Sequence, residues 1–239
     1  MIIPDRPVLL RRNPKVSDAI ALTFDDGPCP TSTAKVLDLL GEHAVTASFF
    51  MIGERVRRHP DLAMRVLREG HQIGNHSDRH AAFRGLVPSF CLKEAERAER
   101  TFQSILGVAP RFYRPPKGLI HRRVVRELRR AGYFVTTWSR MPGDYFRWHT
   151  ADRISRRLAR VRPGEIVVLH DGIGLRPGPD RSRTLSVLPD FIKGMKDRGF
   201  RFLSVADLLG FPLYFSVPAA GSDGHARGTG GARQGGLAP

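Results

Sequence analysis

Short apolar runs alternate with amphipathic stretches from about residue 20 onward, and the alternation is regular enough to predict the architecture. Ile20-Ala-Leu-Thr-Phe24 reads as a buried strand, and Ser32 or Thr33 is placed to cap a helix whose Val36, Leu39 and Leu40 share a face. Ala47 to Ile52 is the next strand, and Pro60 opens a helix carrying Leu62, Val66 and Leu67 that stops at Gly70. Further strands are expected at 72–75, 111–114, 134–138, 165–169 and 200–204, with helices around 92–106, 121–131, 151–161 and 184–197. About seven β/α units result. Such alternation implies parallel strands joined by helical crossovers, hence a β/α barrel or a doubly wound sheet. In either, chemistry gathers where strands end and loops begin.

The pattern also sets the domain limits: an N-terminal segment over 1–19, one domain over 20–213, and a Gly-rich tail over 214–239, expected to be flexible and dispensable for folding. No apolar run approaches the roughly 18 residues that span a bilayer, so a transmembrane segment is not expected. The opening MIIPDRPVLLRR lacks a long apolar core and a small-residue cleavage site. A cytosolic chain is therefore the expectation as written, with export the alternative if translation starts elsewhere.

Charge adds one feature. The 239 residues carry 39 Lys and Arg against 23 Asp and Glu, a formal net charge of +16. Such a field attracts any polyanion. The arginines are scattered along helices, as in Arg55-Val-Arg57-Arg58 and Arg122-Arg123, without the basic block and aromatic array of nucleic-acid modules. No specific nucleic-acid partner is expected. Cys29 and Cys91 stand 62 positions apart, neither a disulfide framework nor a zinc ribbon, and are expected to be free thiols.

The polar residues that stand out follow the expected strands. Thr23-Phe-Asp-Asp-Gly-Pro28 sets two adjacent carboxylates before a turn, where one could bind a cation while its neighbour handles a proton. By itself it reads equally as an Asx-type turn with a helix cap. His76-Ser-Asp-Arg-His80 sets two imidazoles four apart, expected on one helical turn and pointing the same way. With Asp26 they make a two-His, one-carboxylate set that leaves positions open for water and substrate. Arg114-Pro-Pro-Lys-Gly118 is a stiffened loop in which Gly118 lets backbone come close to a ligand. The fifth strand runs into Trp138-Ser-Arg-Met-Pro-Gly-Asp144-Tyr145, and the sixth into Val167-Val-Leu-His170-Asp171-Gly172. Five such strand ends in one chain are hard to assign to chance.

In this order and spacing, TFDDGP, HSDRH, RPPKG, the stretch from Trp138 to Asp144 and VLHDG resemble the polysaccharide deacetylase family, carbohydrate esterase family 4, with its NodB homology domain. The resemblance runs from about Ile20 to Leu209. It implies a distorted β/α barrel of about seven parallel strands, one divalent metal ion (zinc, or in some members cobalt or nickel) and an acetylated glycan as substrate. By position it makes Asp25 the general base, Asp26, His76 and His80 the metal ligands, and Arg114 the residue that orients Asp25. Lys117 would give its backbone N–H to the oxyanion, and His170 would be the general acid with Asp144 favouring its protonated form. Gly118, Trp138, Tyr145 and Val168 are expected around the substrate. The fourth motif departs from the usual Asp-x-x-Asp-Trp, with Met141 at the first acidic position and Tyr145 at the Trp position, and Val168 replaces the usual leucine. The expected function is removal of N-acetyl groups from N-acetylglucosamine oligo- or polysaccharide. The alternatives are an O-acetyl (xylan) esterase and a degenerate member that binds a glycan without turning it over.

Overall fold

The computed structural model describes residues 9–215. Seven strands and eight α-helices follow one another in the order β1 (Ala19–Gly27), α1 (Thr33–Glu42), β2 (Ser48–Met51), α2 (Gly53–Arg58), α3 (Pro60–Arg68), β3 (Gln72–Asn75), α4 (Pro88–Leu106), β4 (Phe112–Tyr113), α5 (Arg122–Arg130), β5 (Phe134–Val135), α6 (Ala151–Leu158), β6 (Ile166–His170), α7 (Ser182–Asp197), β7 (Arg201–Phe202) and α8 (Val205–Leu209). All strand pairs are parallel, in the order β5-β4-β3-β2-β1-β6, with β7 joined to the start of β1. The sheet curls so far that its ends meet. Past β5 the chain bends back to β6, where Ser139 and Arg140 N–H both donate to the Ile166 carbonyl and Val168 N–H donates to Arg140. A single parallel bridge, Arg140 to Val167, closes a distorted β/α barrel.

The central strand shows how the sequence builds two cores. β1 is buried along its whole length, yet its residues alternate in size: Ile20, Leu22 and Phe24 pack outward against the helices, while Ala19 and Ala21 face the barrel interior with Phe50, Phe112, Phe134 and Ile166. Small residues inside leave room for the rings of the facing strands. Polar residues follow on the same inner face, Thr23 and then Asp25, so the interior changes from apolar to functional along one strand.

Several elements differ from the expected ones. Neither Ser32 nor Thr33 caps α1; both hydroxyls turn to Asp171, at its carbonyl and at Oδ2. β4 ends at Tyr113 because Pro115 and Pro116 follow with no N–H to offer the ladder. β5 ends at Val135 because the chain beyond it pairs elsewhere: Leu10 forms a bridge with Thr136 and accepts from Thr137 N–H. The N-terminal segment is therefore part of the sheet from Leu10. The chain around 214 also belongs to the fold. The Tyr214 hydroxyl accepts from Ile73 N–H, and Phe215 sets its ring edge-on to Tyr133 beside Arg111. Residues 216–239, the rest of the expected tail, lie outside the described residues. Cys29 and Cys91 are both free, as expected, and both are buried. No helix among the described residues is long and apolar enough to cross a membrane.

Gly74 on β3 is a point where the interior has no slack, since a Cβ there would lie 2.5 Å from the Phe50 ring. Gly74→Ala should destabilise the protein by about 1–3 kcal/mol through overpacking. Urea unfolding at constant m-value is the check.

Candidate active site

The parallel register sets the site residues at one level of the barrel rim. Asp25 pairs with Phe50 on β2 and with His170 on β6, while Asn75 at the end of β3 pairs with Tyr113. The next residue on each of the last two strands is His76 or Arg114. A cleft of about 230 Å³ opens there, lined by Asp25, Asp26, His76, His80, Lys117, Trp138, Met141, Tyr145, Phe146 and His170.

Arg114 has no exposed surface. Its Nη1 donates to Asp25 Oδ1 at 2.6 Å and to Thr23 Oγ1 at 2.7 Å, its Nη2 to the Thr137 carbonyl at 3.2 Å, and its guanidinium lies 3.8 Å from the centre of the Phe50 ring. A solvated arginine on a rigid turn would have been the plainer reading of this motif. The structure instead uses it as the charge inside the barrel, with Asp25 as its counter-ion.

Asp26 points to the other side. Its Oδ1 lies 3.4 Å from His76 Nε2 and 3.0 Å from His80 Nε2, and ligand atoms of the three residues all fall within 4.8 Å of one another. His76 Nδ1 is 2.8 Å from the Arg114 carbonyl, which only accepts, so Nδ1 carries a proton, and in the neutral ring Nε2 then presents its lone pair. Burial by itself would raise the Asp26 carboxyl, but the facing imidazoles of His76 and His80 hold it well below the usual range.

The two histidines do not sit on a helical turn, contrary to the expectation from their spacing. Residues 76–80 form an irregular loop in which Ser77 and His80 adopt left-handed φ of 69° and 56°. The loop is held from three directions. Gly53 and Glu54 N–H at the start of α2 donate to the Ser77 and Asp78 carbonyls, Asn75 Oδ1 accepts from Ser77 N–H, and the buried Asp78 carboxylate takes Arg57 at 2.6 Å and Arg97 at 2.9 Å.

His170 faces the cleft from β6 and is backed by Asp144. Asp144 Oδ1 is 3.1 Å from His170 Nδ1, while Oδ2 accepts from the His170 backbone N–H at 2.8 Å and from Thr184 Oγ1 at 3.0 Å. Burial would lower the His170 imidazole, but Asp144, helped by the more distant Asp26 and Asp25, carries it up to about 9. The Tyr145 ring lies 5.2 Å from that of His170.

Lys117 has a left-handed φ of 57°, in a turn that uses the N–H groups of Gly118 and Leu119 and leaves that of Lys117 outside it. Gly118 lies behind Trp138, where an added Cβ would come within 2.7 Å of the indole. Val168 is fully buried on β6 two residues before His170 and is not among the residues that line the cleft. Met141, on the cleft wall, is 38% exposed.

Sequence reasoning overlooked Thr23, Phe50, Asp171 and Arg55. Thr23 was legible, being two residues before Asp25 and so on the same strand face. Asp171, pushed up to about 7 by burial, sits so close to Gly27 that a Cβ there would lie 2.2 Å from its Oδ2. Its N–H donates to the Asp25 carbonyl, which joins the first motif to the fifth. Arg55 was read only as one of the arginines scattered along helices; it is buried and donates to the Gly174, Arg176 and Pro28 carbonyls, tying the loop after β6 to the turn after β1. Nothing in a helical arginine pattern distinguishes it.

Fold and site together define an α/β barrel with carboxylates and imidazoles gathered at the carboxyl ends of its strands. The chain belongs to the polysaccharide deacetylase family, whose sequence profile matches residues 12–136. A peptidoglycan-N-acetylglucosamine deacetylase of Bacillus cereus is 37% identical over 198 residues, covering 82% of this chain and 90% of that protein. A chitooligosaccharide deacetylase of a Bradyrhizobium species is 37% identical over 191 residues, covering 76% and 86%. Among solved structures, the Bc1960 peptidoglycan N-acetylglucosamine deacetylase, in complex with 4-naphthalen-1-yl-N-oxidanyl-benzamide, superposes with a TM-score of 0.79 at 29% identity over 86% of this chain and 94% of its own.

The Asp144 pairing has a direct readout. In metal-free protein, NMR titration should find the His170 imidazole protonated up to about pH 9. Asp144→Asn should bring its titration down toward the ordinary value near 6.5, since burial then works against fewer negative charges.

Proposed function

We propose that this protein is a divalent-metal-dependent N-deacetylase that hydrolyses the acetamido group of N-acetylglucosamine units in an oligo- or polysaccharide. The observation that carries the reading is the division between two adjacent carboxylates: Asp25 is committed to a buried arginine, whereas Asp26 faces two imidazole nitrogens. Names of the relatives, which are deacetylases of peptidoglycan and chitooligosaccharides, supply the substrate class.

The residues fit a metal ion. Asp26 Oδ1 is buried and accepts no hydrogen bond, and it faces two nitrogen donors of which one is fixed as a lone pair. One carboxylate and two imidazoles suit a zinc-class ion. Asp26, His76 and His80 would hold it, and it would supply polarisation of the amide carbonyl and acidification of water.

The rest of the chemistry falls to the chain. Arg114 orients Asp25 through Oδ1, which leaves Oδ2 to take the proton of the attacking water. Oxygen adds to the amide carbon, and the Lys117 N–H stabilises the oxyanion that forms. His170, held protonated through Nδ1 by Asp144, gives the proton on Nε2 to the departing nitrogen as the C–N bond breaks. Acetate and a free amine result. The acid must be protonated when the C–N bond breaks, and the Asp144 carboxylate beside His170 favours that form.

Three outcomes are expected. Purified protein should carry about one divalent ion per chain by elemental analysis, and His76→Ala or His80→Ala should lose it. Asp25→Asn should keep the ion yet lose on the order of a hundredfold or more in kcat, whereas Asp26→Ala should lose both. Metal-loaded protein should release acetate faster from chitin oligomers or peptidoglycan than from acetylxylan; the reverse order would replace the amide reading with an ester one.

A further inference from the structure

We propose that Phe146 and Trp148 form a sugar-binding shelf beside the cleft, taking the face of a second pyranose of the same glycan next to the unit that reacts. This rests on the reading of the cleft as a glycan deacetylase site. Trp148 is 73% exposed, the most exposed large apolar side chain among the described residues. It does not stand alone. Ring contacts lead outward from the cleft without a break: His170 to Tyr145 at 5.2 Å, Tyr145 to Phe146 at 6.0 Å, and Phe146 to Trp148 at 5.1 Å with the last two planes only 31° apart. Tyr145 and Phe146 already line the cleft, so the surface offered by Trp148 continues it.

The loop that carries these rings is fixed. Arg183 on α7 donates through Nη1 to three of its carbonyls, Phe146 at 3.3 Å, Arg147 at 2.6 Å and His149 at 2.6 Å. Arg157 on α6 takes the Pro142 carbonyl at 3.2 Å, and buried His149 sets its ring against both Phe146 and Trp148. A rigid loop that presents an exposed indole next to a reactive cleft keeps low the entropy lost when a ligand lands on it. The occupant follows from shape and chemistry. A pyranose offers a flat face of C–H groups and a rim of hydroxyls, so it buries its apolar face on an aromatic ring while its edges stay in water. A glycan with one unit in the cleft necessarily extends another beyond it.

The test compares chitotetraose with an aryl acetate too small to reach the loop, in wild type, Trp148→Ala and Trp148→Phe. Trp148→Ala should lower the ratio of kcat/KM on the tetramer to that on the aryl acetate on the order of tenfold, mainly through KM, and Trp148→Phe should restore most of it. An unaltered ratio in Trp148→Ala, with the wild type active on the tetramer, overturns the shelf and leaves the function standing. A loss in kcat alone, or one that Phe does not restore, also overturns it by pointing to the loop's architecture. Wild-type protein that hydrolyses the aryl acetate but no N-acetylated oligomer would sink the deacetylase reading itself, and the shelf with it.

Discussion

The buried ion pair between Arg114 and Asp25 is the constraint on which the rest of the site depends. A guanidinium with no access to water is costly unless its donors and charge are met, and here the barrel interior meets the charge and both terminal nitrogens, leaving Nε without an acceptor among the described residues. Thr23, Asp25 and the Thr137 carbonyl accept from it, and Phe50 lies against its face. The alternation on β1 that puts Ala19 and Ala21 inside and larger residues outside gives this interior its space. Arg114 also reaches the opposite half of the site through its backbone, since its carbonyl fixes the tautomer of His76. One residue thus orients both the candidate base and a candidate metal ligand.

Around this pair the backbone is held where few residues go willingly. Asp26, Ser77, His80 and Lys117 all have left-handed φ, between 56° and 76°, and only Ala44 among the other described non-glycine residues does. Each costs on the order of 1–3 kcal/mol, so the surrounding structure has to overdetermine them. The strain at Asp26 turns its carboxylate away from that of Asp25, and the two neighbours serve different partners. Adjacent residues in an ideal strand would also diverge, but onto opposite faces of the sheet. Here both remain at the rim of one cleft.

Much of this was legible in the sequence, for reasons that differ from residue to residue. Continuous apolar runs placed β1, β2 and β6, because a parallel strand buried on both faces has little choice of composition. The short pairings that close the barrel were not legible: a single bridge at Arg140 and another at Leu10 leave no periodic trace. His76 and His80 were picked out by a four-residue spacing that suggests a helix, yet they converge through two left-handed turns of a loop. Arg55 shows the limit most clearly. It looks like an ordinary charged residue along the chain and is buried, and what buries it lies up to 121 positions away.

The division of labour between Asp25 and Asp26 is the claim that most needs a direct observation. Anomalous scattering at the zinc edge, from crystals of the zinc-loaded protein, would supply it. The account predicts one peak bounded by Asp26 Oδ1, His76 Nε2 and His80 Nε2 at roughly 2.0–2.2 Å from each, with Asp25 still accepting from Arg114. A peak ligated by Asp25, or the absence of any peak at these three residues, would contradict it.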